Sequence, residues 1–181
     1  MNKLILGLFI GICFLTFAQN TDEQLANHYF SEGDCEKAIP YFEKSYTAQP
    51  SEYLYKRYLS CLRETKDEKG TIKLIQKQIS SFPNVPQYEI DLAQEYENQG
   101  NDKKAEKQYT ALLDKISPNP RYIIDLQRAL SSIGKNDLAL QVLQKGEQLL
   151  KGSYSLGLQL AEVYGALNEN EKMIAEYFFY F

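Results

Sequence analysis

Apolar residues recur along most of the chain at spacings of three and four, the period of an amphipathic helix. The runs are interrupted at regular intervals by glycine, asparagine and proline. Leu25-Ala26-x-x-Tyr29, Leu92-Ala93-x-x-Tyr96 and Leu160-Ala161-x-x-Tyr164 repeat one internal spacing, and Leu126 with Leu130 keeps a reduced form of it. Beyond the interruptions, Ala38, Gly70, Ala105, Ala139 and Met173 close five similar turns, separated by 32, 35, 34 and 34 residues. Four positions after each comes a bulky residue (Phe42, Leu74, Tyr109, Leu143, Tyr177), on the same helical face as the residue before it. The pattern predicts pairs of helices joined by tight turns, one pair about every 34 residues.

The turns share a grammar. Gly33-Asp34-Cys35-Glu36-Lys37-Ala38, Gly100-Asn101-Asp102-Lys103-Lys104-Ala105 and Gly134-Lys135-Asn136-Asp137-Leu138-Ala139 each open on glycine, and Asn168 opens the last. Thr65 to Gly70 is a weaker copy whose register is open by one residue, with Tyr58 or Leu59 where a small residue is expected. Glycine or asparagine ends a helix in the left-handed conformation at little cost. Asp34, Asp102, Asn136 and Asn170 are the expected caps of the second helices. Pro50, Pro83 and Pro118 block continuation of those helices, and Pro40 inside one of them predicts a local bend. Breaks this frequent exclude a sustained coiled coil.

The repeat resembles the tetratricopeptide repeat (TPR). Ala26, Tyr29, Gly33, Ala38, Phe42 and Pro50 match the full pattern, and Ala93, Tyr96, Gly100, Ala105 and Tyr109 match it with Pro118 shifted by one; Gly134, Ala139 and Leu143 keep part of it. The resemblance implies an all-α fold, a right-handed solenoid of about five helical hairpins in units 19–50, 51–85, 86–119, 120–153 and 154–181. It further implies a concave wall built from the first helices. The candidate partner-groove residues are Asn27, Tyr55, Gln94, Arg121, Arg128 and Glu162, flanked by Glu23, Ile90 and Ile124. A subgroup of the family clamps a C-terminal carboxylate with lysines, asparagines and an arginine. Glu23 stands here where a clamp lysine would be wanted, so an extended peptide or a protein surface is the expected ligand. In such a stack Cys35 and Cys61 lie at the same edge. They are candidates for a disulfide if their Cα atoms come within about 7 Å, the alternative being two independent buried thiols.

Residues 1–18 read as a secretory signal. Lys3 supplies a positive start, Leu4 to Phe17 is apolar, and Thr16-Phe17-Ala18 precedes Gln19. The apolar run would reach only about 21 Å as a helix, short of the ~30 Å hydrocarbon core. A cleaved signal is therefore expected over a retained anchor, with no stable membrane span afterwards. Ile12 before Cys13 is too large for a lipoprotein signal. The run and its Phe-Ala-Gln junction look bacterial and point to the periplasm or secretion, where disulfides persist. At the other end, Ile174-Ala175-Glu176-Tyr177-Phe178-Phe179-Tyr180-Phe181 is apolar on nearly every face and lacks the polar cap that closes a repeat array. The reading is an array that continues past residue 181 or packs on a partner.

Composition narrows the chemistry. One histidine and three cysteines in 181 residues leave too few ligands for a zinc finger, and any Ser-His or Cys-His pair would have to use His28. A formal charge of −4 argues against nucleic-acid binding. No Walker loop, dinucleotide fingerprint, Gly-x-Ser-x-Gly or His-Glu-x-x-His occurs, so neither catalysis nor a cofactor is expected. Glu89, Asp91, Glu95 and Glu97 read as a solvated acidic face, and Lys103, Lys104, Glu106 and Lys107 as mixed surface charge. Of the fourteen tyrosines, Tyr29, Tyr96, Tyr109, Tyr164 and Tyr177 occupy packing positions. Tyr53, Tyr55, Tyr58, Tyr88 and Tyr122 could stack on sugars. The expected function is a non-catalytic protein- or peptide-binding scaffold of the cell envelope, with a glycan-binding repeat protein as the alternative. Mass spectrometry of the exported chain should show an N-terminus at Gln19; an N-terminus at Met1 would show that the apolar run is retained.

Overall fold

The computed structural model describes residues 21–180, with side chains through Phe178, so the expected signal at 1–18 lies outside the described residues. Ten helices and no strand are present among the described residues: α1 (21–31), α2 (Cys35–Ala48), α3 (Glu52–Glu64), α4 (Glu68–Ser81), α5 (Pro86–Asn98), α6 (Asp102–Asp114), α7 (Pro120–Ser132), α8 (Asn136–Leu150), α9 (Gly157–Ala166) and α10 (Asn170–Tyr180). They form five TPR-like hairpins of an all-α helical solenoid. The chain divides into two compact units, the first ending at Ser81 and the second beginning at Phe82.

One backbone device makes every hairpin. Gly33, Lys66, Gly100, Gly134 and Asn168 have φ of 75°, 57°, 69°, 74° and 61°, the left-handed region. Around each, the preceding helix closes in the same way: Gly33 N–H donates to Phe30 O at 3.1 Å and Asp34 N–H reaches back five residues to Tyr29 O at 2.9 Å. The same two bonds recur at Lys66 and Asp67, Gly100 and Asn101, Gly134 and Lys135, and Asn168 and Glu169. This is the Schellman closure, which satisfies the last carbonyls of the first helix. The residue after the left-handed one then starts the second helix, as its carbonyl accepts from the N–H four residues on.

That closure corrects the sequence reading in two places. The turn residue, not the small residue after it, sets the register. The second hairpin therefore places Thr71 (1 % exposed) where Ala38, Ala105 and Ala139 stand, with Ile75 (0 %) four residues beyond; Gly70 and Leu74 are one step out of register. Leu59 and Gln127 likewise fill the slots of Ala26, Ala93 and Ala161. The caps shift too. Asp34 does accept from Lys37 N–H at 3.1 Å, but the later caps precede the predicted ones: Asn101 accepts from Lys104 N–H at 3.4 Å, while Lys135 makes no side-chain cap bond. The aspartate at the second turn, Asp67, accepts from Gly70 N–H at 2.9 Å. The helix α2 continues through Pro40.

In the first unit, Ala26 and Ala38 are fully buried and let α1 and α2 approach closely. The space between hairpins is filled by Phe42, whose ring stacks on Tyr58 at 6.2 Å and meets the edge of Phe30 at 5.9 Å. Beneath it the buried Tyr46 hydroxyl donates to Gln78 Oε1. A disulfide joins Cys35, at the start of α2, to Cys61 on α3, with Cα atoms 4.9 Å apart.

The second unit has one continuous core running from Ile90 and Ala93 on α5 through Tyr109, Leu126, Leu130 and Leu143 to Leu160 and Tyr164 on α9. Helices α7 and α8 touch at Gly146, where an added Cβ would lie 2.8 Å from Ile123 Cγ2. The acidic residues of α5 are not the solvated face expected. Glu89 and Glu95 are 6 % and 5 % exposed, because in the register set by Gly100 they fall on the packed side of the helix. Glu89 pairs with Lys115 at 2.5 Å, and Glu95 accepts from Gln99 Nε2 at 3.1 Å. Glu97 accepts from Lys135 Nζ at 2.6 Å and from the Tyr109 hydroxyl at 3.1 Å, tying the α5–α6 hairpin to the turn before α8.

Two measurements check this account. Gly134→Ala should destabilise the protein by about 1–2 kcal/mol, the cost of a Cβ in a left-handed turn. Lys66→Gly should stabilise it by about 0.5–1 kcal/mol, since the relieved strain outweighs glycine's added unfolded-state freedom. Urea unfolding of both variants reads the two signs, and equal effects would contradict the turn mechanism. Replacing both Cys35 and Cys61 by serine should cost about 2–4 kcal/mol. In the chain starting at Gln19, thiols should titrate only after reduction.

Candidate functional site

Helix α7 shows how the repeat exposes a surface. Asn119 caps it by accepting from Tyr122 N–H at 3.3 Å, and Pro120 occupies its first turn, where no N–H is needed. Ile123, Leu126 and Leu130 are buried on the packed side. Arg121, Ile124, Asp125 and Arg128 fall at i, i+3, i+4 and i+7 and share the other side. These four line an open groove of about 570 Å³, whose facing side is made by Tyr154 and Gln159.

The far side is positioned by the α8–α9 connector. Lys151 and Gly152 both adopt left-handed conformations, φ 49° and 77°, so the chain reverses sharply after α8. Leu156 anchors the connector at 0 % exposure, which leaves Tyr154 standing out at 44 %. Gln159, in the first turn of α9, is 9 % exposed, and its amide makes no hydrogen bond among the described residues.

The charges of the groove are unequal. Arg121 Nε lies 3.8 Å from Asp125 Oδ2 with both side chains largely in solvent, a pair that screening weakens and a ligand can displace. Arg128 is exposed and has no carboxylate within ion-pair distance among the described residues. The groove therefore carries a net positive charge on a chain whose formal charge is −4.

Of the residues expected on a concave wall, the structure brings Arg121, Arg128 and the flanking Ile124 together. Gln94 is half-buried on α5 and Glu162 is exposed on α9, and neither lines the groove. Tyr55 must be withdrawn as a surface residue: at 2 % exposure it belongs to the core of the first unit, because α3 turns Leu54, Tyr55, Tyr58 and Leu59 inward together. Ile90 is likewise core at 0 %. Asn27 lies in the first unit, where its Oδ1 accepts from Arg57 Nη1 at 2.8 Å and from the Tyr53 hydroxyl at 3.1 Å. Arg57 stacks over the rings of Tyr53 at 4.4 Å and Phe30 at 5.2 Å, so this cluster ties α1 to α3. Sequence reasoning missed Asp125, which the i+4 spacing from Arg121 could have supplied, and Tyr154, which no helical period marks.

The remaining chemistry is sparse. His28 is exposed on α1 with Nε2 at 3.5 Å from Glu32 Oε1. Among the described residues no group of three or more His, Cys, Asp or Glu is placed to hold a metal. Burial, with Glu43 and Asp67 nearby, pushes the Tyr58 phenol up to about 12, and burial with Glu97 pushes Tyr109 higher still. These phenols stay protonated at neutral pH. Of the five tyrosines expected to be able to stack on sugars, Tyr55, Tyr58 and Tyr88 are buried, Tyr122 is half-buried, and Tyr53 is exposed with Arg57 stacked over its ring. Tyr177, expected in a packing position, is 37 % exposed on α10. No described helix is long and apolar enough to cross a membrane.

No protein-family model matches the chain, and no curated protein matches it. Solved structures resemble it distantly. The crystal structure of MamA protein is 12 % identical over 88 % of this chain and 87 % of its own, with a TM-score of 0.44. MamA 41-end from Desulfovibrio magneticus RS-1 is 12 % identical over 88 % and 90 %, also at 0.44. A tetratricopeptide repeat protein from Parabacteroides merdae ATCC 43184 is 12 % identical over 89 % of this chain and 64 % of its own, at 0.45. The fold rests on the hairpins themselves, not on these likenesses.

Proposed function

We propose that this chain is a non-catalytic scaffold that binds a protein or peptide through the α7 groove of its second unit, and that it works in a bacterial cell envelope. The observation that carries the reading is the groove itself. Arg121, Ile124, Asp125 and Arg128 on α7 face Tyr154 and Gln159 across an open space of about 570 Å³. The arginines serve no packing role there, and an apolar residue flanked by charges on a rigid helix suits recognition of a polypeptide. The envelope location rests on the apolar run Leu4 to Phe17 and its Ala18-Gln19 junction. The disulfide between Cys35 and Cys61 fits an oxidising compartment. On α10, Ile174 (48 % exposed) and Phe178 (82 %) present an apolar surface suited to further repeats or a partner. The burial of Tyr55, Tyr58 and Tyr88 removes most of the aromatic surface that the glycan reading needed.

Affinity capture from envelope extracts, with the chain starting at Gln19 as bait, tests the proposal. Specific protein should be recovered, and recovery should fall at least tenfold with the double variant Arg121→Glu, Arg128→Glu. Capture of polysaccharide without protein would favour the glycan reading, and protein capture untouched by the double variant would remove the groove from the function.

A further inference from the structure

The groove's geometry restricts what can occupy it. Its three unengaged features sit in a defined order. Among the described residues Arg128 has no carboxylate partner, Ile124 with Tyr154 forms an apolar seat, and Gln159 offers an amide that can both donate and accept. Gln159 matters because its amide makes no hydrogen bond among the described residues, so a ligand can meet it with a donor and an acceptor. A peptide backbone supplies both with one residue.

The spacing along α7 sets a register for that ligand. Ile124 and Arg128 are four residues apart on one face, about 6 Å along the axis at 1.5 Å per residue. In an extended chain, side chains two residues apart point the same way and lie about 6.7 Å apart. An extended segment lying along α7 therefore presents one side chain to the Ile124–Tyr154 seat and, two residues away, another to Arg128. The first must be apolar or aromatic. The second must be a carboxylate, because a guanidinium reads carboxylates in two-point geometry and Arg128 has no acid paired with it among the described residues. Arg121 adds positive charge at the other end but is already shared with Asp125 at 3.8 Å, so it steers more than it anchors.

We infer that the α7 groove recognises an extended, internal peptide segment in which an apolar residue and an aspartate or glutamate are separated by one position, the acid on Arg128 and the apolar side chain between Ile124 and Tyr154. This rests on the scaffold reading above and names its ligand class. The charge balance supports it: a locally positive groove on a net-acidic chain draws acidic segments to one place and repels them elsewhere.

The test uses the chain starting at Gln19 and fluorescein-labelled decapeptides, acetylated and amidated so that no terminal charge remains, read by fluorescence anisotropy. A peptide carrying Leu-x-Glu at its centre should bind. Its Leu-x-Gln counterpart should bind at least tenfold more weakly, as should a peptide with leucine and glutamate adjacent. Arg128→Gln, an exposed change whose helicity circular dichroism checks, should abolish the Glu-against-Gln discrimination while leaving the residual binding. Affinity for the glutamate peptide should also fall as salt is raised. Equal binding of the Glu and Gln peptides, discrimination surviving in Arg128→Gln, or failure of the blocked Leu-x-Glu peptide to bind would each overturn the inference. If the Gln peptide binds as well as the Glu peptide but both are lost in Tyr154→Ala, the groove still binds peptide and only the acidic register fails. If no peptide binds and affinity capture is also unaffected by the groove variants, the scaffold reading of the groove fails with it.

Discussion

The left-handed residue at the head of each turn is the constraint on which the structure depends. It reverses the chain within two residues and lets the closing helix bond its own last carbonyls. It also fixes the phase of the second helix. Counted from Gly33, Lys66, Gly100, Gly134 and Asn168, the fifth residue on is Ala38, Thr71, Ala105, Ala139 or Met173, and the first four of these are at most 1 % exposed. The close helix contact, the bulky residue one turn later and the outward face then follow from the helical period. Glycine is the cheapest occupant of the turn, and Lys66 and Asn168 show that the closure is strong enough to hold other residues there.

The register governs charge as well as packing. Glu89 and Glu95 are inside because their places on α5 face the neighbouring elements. Such carboxylates are tolerable only when partnered, and each has a partner: Lys115 for one, Gln99 for the other. Glu97 joins the Tyr109 hydroxyl to Lys135, so two successive hairpins of the second unit are held by one carboxylate in addition to their apolar contact. Gln127 is less complete. It stands in a slot held elsewhere by alanine or leucine; its Nε2 donates to Ser131 Oγ at 3.1 Å, and its buried Oε1 has no partner among the described residues.

The hairpins and most of the core could be read from the sequence because their signals are periodic. Alanine at the close contact, an aromatic or leucine four residues on and glycine at the turn form a pattern that survives without any alignment. Legibility failed where a residue departs from its type. Lys66 does not announce a left-handed turn, so the second hairpin came out one residue off. Tyr55 was placed on the open wall by family geometry, though the run Leu54-Tyr55-x-x-Tyr58-Leu59 carries its own apolar face inward. Half of the groove was visible, since Arg121, Ile124 and Arg128 lie on one helical stripe. The other half was not, because Tyr154 is set by two left-handed residues in a connector and by the burial of Leu156.

That connector has a consequence for how such a protein can change. The α7 wall is bound to the repeat: Ile123 and Leu126, which hold the helix in place, alternate with the residues facing the groove. Tyr154 carries no such obligation. It fills no repeat position, lies 44 % exposed and sits on a connector shaped by two left-handed residues and the burial of Leu156. One side of the groove is thus locked to the architecture while the other is free to vary. Drift at residue 154 can reshape that side of the groove without a folding penalty, so descendants of the same fold can differ there while keeping every hairpin intact.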